Sequence, residues 1–300
     1  MSWHPPNDYA SRPVAILGAG ILGRRIACTW AAAGYNVHIR DPSADQLKQC
    51  LSYFHENLDI YKQKTSSPIS GTIQTLAELE PAVANAWLII EAVPEKLDLK
   101  ISTFAALEAS APSDAVLASN SSSYKSSEML ASVSDATKER ILNTHYYMPP
   151  GNMVVELMTC GVTATSIFDF LTDRLKETGA MPYVAQKEST GFIFNRLWAA
   201  VKRETLTILS EGVSTPEEID ALWTEMFIKG KSRPCALMDQ VGLDTVAFIE
   251  QNYVKERGLD GTHTIDYLKR EFLEKGKLGD KCDKGGLYPR KTDDSHVESR

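Results

Sequence analysis

His145 and Glu156 are the residues of this chain whose types and spacing most directly offer chemistry, lying in two β-like runs, Ile141-Leu-Asn-Thr-His145 and Val154-Val-Glu156-Leu-Met158. An imidazole titrates near neutral pH, and a carboxylate behind it fixes the tautomer and stabilises the protonated ring. The pair therefore suits moving a proton on and off a hydroxyl or carbonyl oxygen. Taken singly, each has an ordinary structural use: a histidine ending a strand, and an acid alternating outward between Val155 and Leu157. Other polar groups fall near similar boundaries. Ser119-Asn120-Ser121-Ser122-Ser123 follows the run Ala115-Val-Leu-Ala118, and Asn195 stands at a helix start in Gly191-Phe-Ile-Phe-Asn195-Arg196. The first offers hydroxyls and an amide, the second an amide that could reach a reacting carbonyl. As structure alone they are a capping loop and a helix start.

The elements that must position these groups begin with Val14-Ala-Ile-Leu-Gly18-Ala-Gly20-Ile-Leu-Gly23. An apolar strand running into glycines at this spacing suits a dinucleotide's pyrophosphate: Gly18 for the tight turn, Gly20 for close approach of phosphate, Gly23 for packing of the next helix. That helix, expected over 21–33 and ending at Gly34, aims its N-terminus at the anion. A second strand, Asn36-Val-His-Ile-Arg40, stops at Asp41, where a carboxylate accepts the ribose hydroxyls and favours NAD over NADP, whereas the neighbouring Arg40 could pair with an extra phosphate. The motif alone also admits FAD, or a plain glycine-rich turn.

Strand signals recur at Trp87-Leu-Ile-Ile-Glu91, Ala115-Val-Leu-Ala118, in the two runs carrying His145 and Glu156, and at Pro182-Tyr-Val-Ala185, separated by helical segments expected over 44–64, 97–109 and 166–178. This alternation predicts a doubly wound, largely parallel sheet, with chemistry outside the carboxyl ends of its strands. Beyond residue 190 the pattern turns helical, over 193–209, 216–223, 242–255 and 267–275. The expected domains are 1–188 and 189–300. Leu206, Ile208, Leu209, Leu222, Trp223, Phe227 and Ile228 suit a dimer interface as well as a core.

Of 300 residues, 43% are hydrophobic, enough for two domains, and a net charge of −7 argues against nucleic acid as a partner. No apolar run approaches a membrane span, and the opening residues lack the features of a signal or transit peptide. The five cysteines form no CxxC pair and read as reduced thiols without a metal site, and the ending Val-Glu-Ser-Arg300 is not a peroxisomal address. A cytoplasmic protein with a polar, loose ending is expected.

The blocks Gly18-Ala-Gly20-Ile21-Leu22-Gly23, Ile90-Glu91-Ala92-Val93-Pro-Glu95, Ser119-Asn120-Ser-Ser122, His145-Tyr-Tyr-Met-Pro149, Val155-Glu156, Gly191-Phe-Ile-Phe-Asn195-Arg196, Glu218-Ile-Asp220 and Asp239-Gln-Val-Gly242-Leu-Asp244 occur in this order. In these blocks the chain resembles the 3-hydroxyacyl-CoA dehydrogenase family, over about residues 12–290. The resemblance implies a Rossmann-type, doubly wound, mainly parallel α/β sheet followed by an all-α C-terminal domain that dimerises. It further implies NAD-dependent interconversion of an L-3-hydroxyacyl-CoA and its 3-ketoacyl-CoA, a step of fatty acid metabolism. Residue by residue, His145 matches the catalytic base and Glu156 its partner, while Ser122 and Asn195 match contacts to the substrate oxygens. Gly18, Gly20, Ile21, Leu22, Gly23, Asp41, Ala92, Glu95, Lys100 and Asn120 match the cofactor site. Lys64, with Lys62, offers the charge available to a CoA phosphate. Met148 stands where the family commonly has asparagine, Asn57 where it has serine, and the segment after Asp41 is poor in lysine. A free β-hydroxy acid or specialised hydroxy-carbonyl substrate is thus the alternative, and a non-catalytic, crystallin-like protein a second.

Overall fold

The computed structural model describes residues 3–290. Strands β1 (Val14–Leu17), β2 (Val37–Arg40), β3 (Ile73–Leu76), β4 (Leu88–Glu91), β5 (Val116–Ser119), β6 (Ile141–Met148), β7 (Asn152–Thr159) and β8 (Met181–Ala185) form one sheet in the order β3-β2-β1-β4-β5-β6-β7-β8. Every pairing is parallel except β6 with β7. Strands β1, β4 and β5 are buried along their whole length, as expected where helices cover both faces of a parallel sheet. One face packs Val14, Ile16 and Ile90 against α1 (Ile21–Ala32), α2 (Ala44–Lys62) and α6 (Thr165–Glu177), through Trp30, Phe54 and Leu171. The other packs Ala15, Leu17 and Ile89 against α3 (Leu79–Val83) and α4 (Leu97–Ser110), through Ala82, Phe104 and Leu107.

The order in which successive strands are added reverses between β1 and β4, so a crevice opens outside their carboxyl ends, where dinucleotides bind in this topology. The register lines up Arg40, Leu17, Glu91, Ser119 and Asn143 along that edge. Sequence patterning ends β6 at His145. The strand instead continues to Met148, because its pairing with β7 goes on after its pairing with β5 has stopped at Asn143. His145 therefore stands beyond the edge of the parallel strands. Patterning also misses β3, a short edge strand that is nowhere fully buried, and the short helices α3, α5 (Asp135–Lys138) and α9 (Pro234–Val241).

The chain divides into two compact units, Met1–Val201 and Lys202–Arg300. The division falls inside α7 (Phe194–Ser210), past the expected 188/189 boundary, because this helix runs unbroken through it. Among the described residues the second unit is helical: α8 (Pro216–Trp223), continued by a π-helical turn, then α9, α10 (Leu243–Arg257) and α11 (Ile265–Glu271). Its buried core is small, with Leu243, Ala247 and Leu268 packed by Met238, Val246 and Phe272. Leu206, Leu222, Trp223, Met226, Ile228 and Phe248 stay exposed. The polar ending and the terminal Val-Glu-Ser-Arg lie outside the described residues.

Gly23 shows how tightly α1 is seated. A Cβ there would lie 1.8 Å from the carbonyl oxygen of Gly18. The Gly23→Ala variant is expected to lose about 3 kcal/mol, the upper end for overpacking, read as a lower Tm in thermal unfolding. An unchanged Tm would contradict this contact.

Candidate active site

At the crevice, Gly18 turns the chain with φ +109°, and a Cβ there would meet the Ala92 carbonyl oxygen at 2.5 Å. Ala92 in turn donates its N–H to Leu17 O at 2.8 Å, so β1 and β4 hold this turn between them. Gly20 caps α1 and faces open space: a Cβ there would meet nothing within 4 Å. The first turn of α1, where Ile21 is exposed and Leu22 half-buried, carries no acid and no side-chain cap. Its free amides and the open space above Gly20 fit a pyrophosphate. Beside it, a cavity of about 440 Å³ is lined by Leu17, Gly18, Arg40, Asp41, Leu79 and Val93. Its apolar walls suit an adenine, and Asp41 lies where ribose hydroxyls would come. The Asp41 carboxylate accepts the amides of Ala19 at 2.8 Å and Ser43 at 2.9 Å, which fixes its position. Arg40 donates its Nε to Ala77 O.

The floor of the crevice is a buried charge network. Lys100 Nζ lies 2.8 Å from Glu91 Oε1 and 3.0 Å from Glu95 Oε2, with Lys100 and Glu91 both almost wholly buried. Glu91 also accepts Ser119 Oγ at 2.7 Å and the Val93 amide at 2.8 Å. Glu95 accepts the hydroxyl of Ser121 and the amide of Ser123. Burial works to raise the Glu95 pKa, but Ser121, Lys100 and the Ser123 amide outweigh it and hold the group below its ordinary range. Lys100 is thus not a solvated helix lysine: its ammonium organises the two carboxylates and, through Glu95, the serine loop. Ser122, on that loop, is exposed. Asn120 uses Oδ1 to accept the Tyr146 amide at 2.9 Å, which fixes β6 next to His145.

His145 and Glu156 are directly opposed across the β6–β7 pairing. The imidazole is buried, stacked on Phe192 at 5.0 Å between ring centres and edge-on to Tyr147 at 4.7 Å. Its Nδ1 lies 3.8 Å from Glu156 Oε2, within electrostatic reach but too far for a hydrogen bond, and has no hydrogen-bond partner. Glu156 is buried and well supplied with donors. Oε2 accepts the Tyr147 hydroxyl at 2.6 Å, while Oε1 accepts the amides of Ile193 at 2.9 Å and Phe194 at 3.1 Å, where α7 begins. Burial pushes the Glu156 pKa up, but nearby His145, the Tyr147 hydroxyl and the two amides prevail and keep it below the ordinary carboxylate range. The turn that delivers these amides has Gly191 at φ +80° and Phe192 at φ +56°; the second is a left-handed conformation that a bulky side chain rarely adopts. Asn195 follows in the first turn of α7 and is half-buried.

A second cavity, about 330 Å³, lies against Glu156, with Tyr147, Val154, Tyr183, Phe194 and Leu197 among its walls. The structure thus gathers Gly18, Gly20, Gly23, Asp41 and Ala92 at the crevice, and His145 with Glu156 beyond it. Lys64 is exposed just past the end of α2, whose Tyr61 hydroxyl donates to Pro149 O at 3.0 Å, four residues beyond His145. Sequence reasoning missed Tyr147, Phe192 and Tyr183. No residue pattern within β6 marks Tyr147, because it lies where the β6–β7 pairing shifts register between Tyr146 and Met148. Because Glu91 has no access to water, the Lys100→Met variant should unfold about 3–5 kcal/mol more easily in denaturant titration, and an equal midpoint would show that the pair does not hold the floor together.

Comparison with known proteins agrees with this fold. Residues 13–189 match the family described as 3-hydroxyacyl-CoA dehydrogenase, NAD binding domain, and residues 191–288 match its C-terminal domain. A 3-hydroxyacyl-CoA dehydrogenase-like protein of Cochliobolus heterostrophus is 54% identical over 157 residues, covering 52% of this chain and only 33% of that longer protein. An L-carnitine dehydrogenase of Nocardiopsis dassonvillei is 33% identical over 221 residues, covering 72% of this chain and 66% of its own. The solved 3-hydroxyacyl-CoA dehydrogenase of Archaeoglobus fulgidus superposes with a TM-score of 0.74 at 26% identity, over 94% of this chain and 93% of that one. With the doubly wound sheet and the glycine crevice, these matches show that the chain belongs to the 3-hydroxyacyl-CoA dehydrogenase family of NAD-dependent oxidoreductases.

Proposed function

We propose that the protein interconverts an L-3-hydroxyacyl-CoA and its 3-ketoacyl-CoA, with His145 as acid and base and Glu156 as its partner. The observation that carries this reading is the cross-strand opposition of the two residues beyond the crevice edge. When bound, NAD supplies the two-electron acceptor or donor. His145 presents Nδ1 towards Glu156, which leaves Nε2 to exchange the proton with the substrate oxygen. In oxidation Nε2 takes the hydroxyl proton, and in reduction the protonated ring returns it. Glu156 stabilises the imidazolium, and Ser122 and Asn195 donate to the substrate oxygens. Residues 1–188 form the cofactor-binding part and 189–300 the helical part, which pairs in a homodimer through the exposed Leu222, Trp223 and Ile228.

A second reading, in which the substrate is a free β-hydroxy acid, is favoured by the scarcity of lysine after Asp41 and by Met148 in place of the asparagine common in the family. It also draws support from the likeness to a carnitine dehydrogenase. NADH consumption with acetoacetyl-CoA and with acetoacetate separates the two readings: turnover confined to the thioester, inhibited by free CoA, supports the first, and turnover of the free acid untouched by CoA supports the second. His145→Ala and Glu156→Gln are expected to lower kcat by roughly 10²–10⁴-fold with NADH affinity intact, and near-normal turnover in either would refute the assignment. Sedimentation should show a dimer that Leu222→Glu combined with Ile228→Glu converts to a monomer.

A further inference from the structure

The acid–base pair is not alone. Tyr147 lies where the β6–β7 pairing shifts register, and its ring packs edge-on to His145 at 4.7 Å. Its hydroxyl donates to Glu156 Oε2 at 2.6 Å, and this is the same oxygen that lies 3.8 Å from His145 Nδ1. The other oxygen, Oε1, is already taken by the Ile193 and Phe194 amides. His145 Nδ1 is left buried without a hydrogen bond. His145 Nδ1 and the Tyr147 hydroxyl thus face one carboxylate oxygen, and the phenol is the group bonded to it.

We propose that Tyr147 is a positioning residue that competes with His145 for Glu156 and so sets how strongly the carboxylate supports the imidazolium. The inference rests on reading His145 and Glu156 as the acid–base pair. Tyr147 is itself held edge-on to Phe194 at 5.7 Å and to His145, so its hydroxyl keeps its aim. Burial first, and then the adjacent carboxylate, push its pKa upward, so it remains a donor throughout the working range. The other groups facing the pair do not take over its role. From β8, Tyr183 lies opposite Glu156 in the register, and from the turn before α7 come the Phe192 ring and the two amides. On β6, Asn143 is already committed to the Ser126 amide and the Tyr124 carbonyl. The consequence is directional: by drawing on the carboxylate, Tyr147 disfavours the protonated ring and keeps His145 available as the base for oxidation.

The test is the His145 titration, followed by NMR on the NAD-saturated protein and assigned by the signal lost in His145→Ala. In Tyr147→Phe the freed oxygen accepts Nδ1–H, and the midpoint should rise by about one pH unit, the scale of one charge-assisted hydrogen bond. The acid limb of kcat/KM for oxidation should rise equally, while the KM for NAD stays unchanged. In a Glu156→Gln background, Tyr147→Phe should produce no shift. Replacing Tyr147 with 3,5-difluorotyrosine keeps the ring and strengthens the donor, so there the midpoint should fall. An unchanged or lowered midpoint in Tyr147→Phe, or a shift that persists in the Gln background, would overturn the proposal. Retained turnover in His145→Ala would instead refute the acid–base reading, and the NMR midpoint would still decide whether Tyr147 competes for Glu156.

Discussion

The site depends on one strand outrunning its neighbours. The parallel strands end along a line through Arg40, Leu17, Glu91, Ser119 and Asn143, and only β6 continues, because β7 turns back to pair with it. Side chains in a strand alternate between faces, so a slip of one residue in this pairing would send His145 and Glu156 to opposite sides. Two anchors guard the register. Asn120 fixes the Tyr146 amide from the neighbouring loop, and the start of α7 fixes Glu156 through two amides. The chemistry of the pair is therefore built from backbone geometry before any side-chain preference acts.

The two buried acidic centres solve the same problem differently. An ionised carboxylate removed from water costs several kcal/mol unless it is paired or generously hydrogen-bonded. Glu91 is paired with Lys100 and also accepts from Ser119 and Val93, leaving a rigid floor. Glu156 has no cation in hydrogen-bonding contact, and it is held by neutral donors: a phenol and two peptide amides. An anion stabilised by dipoles keeps its charge available to His145, as the proposed acid–base role requires. The first arrangement suits structure and the second suits catalysis.

The cofactor crevice was legible because backbone constraint writes it into residue type. Gly18 and Gly23 sit against carbonyl oxygens that no side chain would tolerate, and Asp41 must follow β2 at its end. Strand β3 was not legible, since a four-residue edge strand with no alternation and no fully buried residue differs little from a polar loop. The environment of Lys100 was not legible either: nothing local distinguishes a helix lysine in water from one inserted between Glu91 and Glu95, and only the packing of α4 on the sheet decides it. The length of β6 and the part played by Tyr147 share a cause. Both follow from pairing with β7, a contact made across a turn, which residue periodicity within either strand does not encode.

The most direct measurement of the central claim is a crystal structure of the protein with NAD and an unreactive 3-ketoacyl thioester analogue. The account predicts the analogue's 3-oxygen at about 3 Å from His145 Nε2, with Nδ1 facing Glu156 and the nicotinamide on the crevice side of the imidazole. An analogue bound with its 3-oxygen away from His145, or a His145 ring turned from Glu156 in the complex, would contradict it.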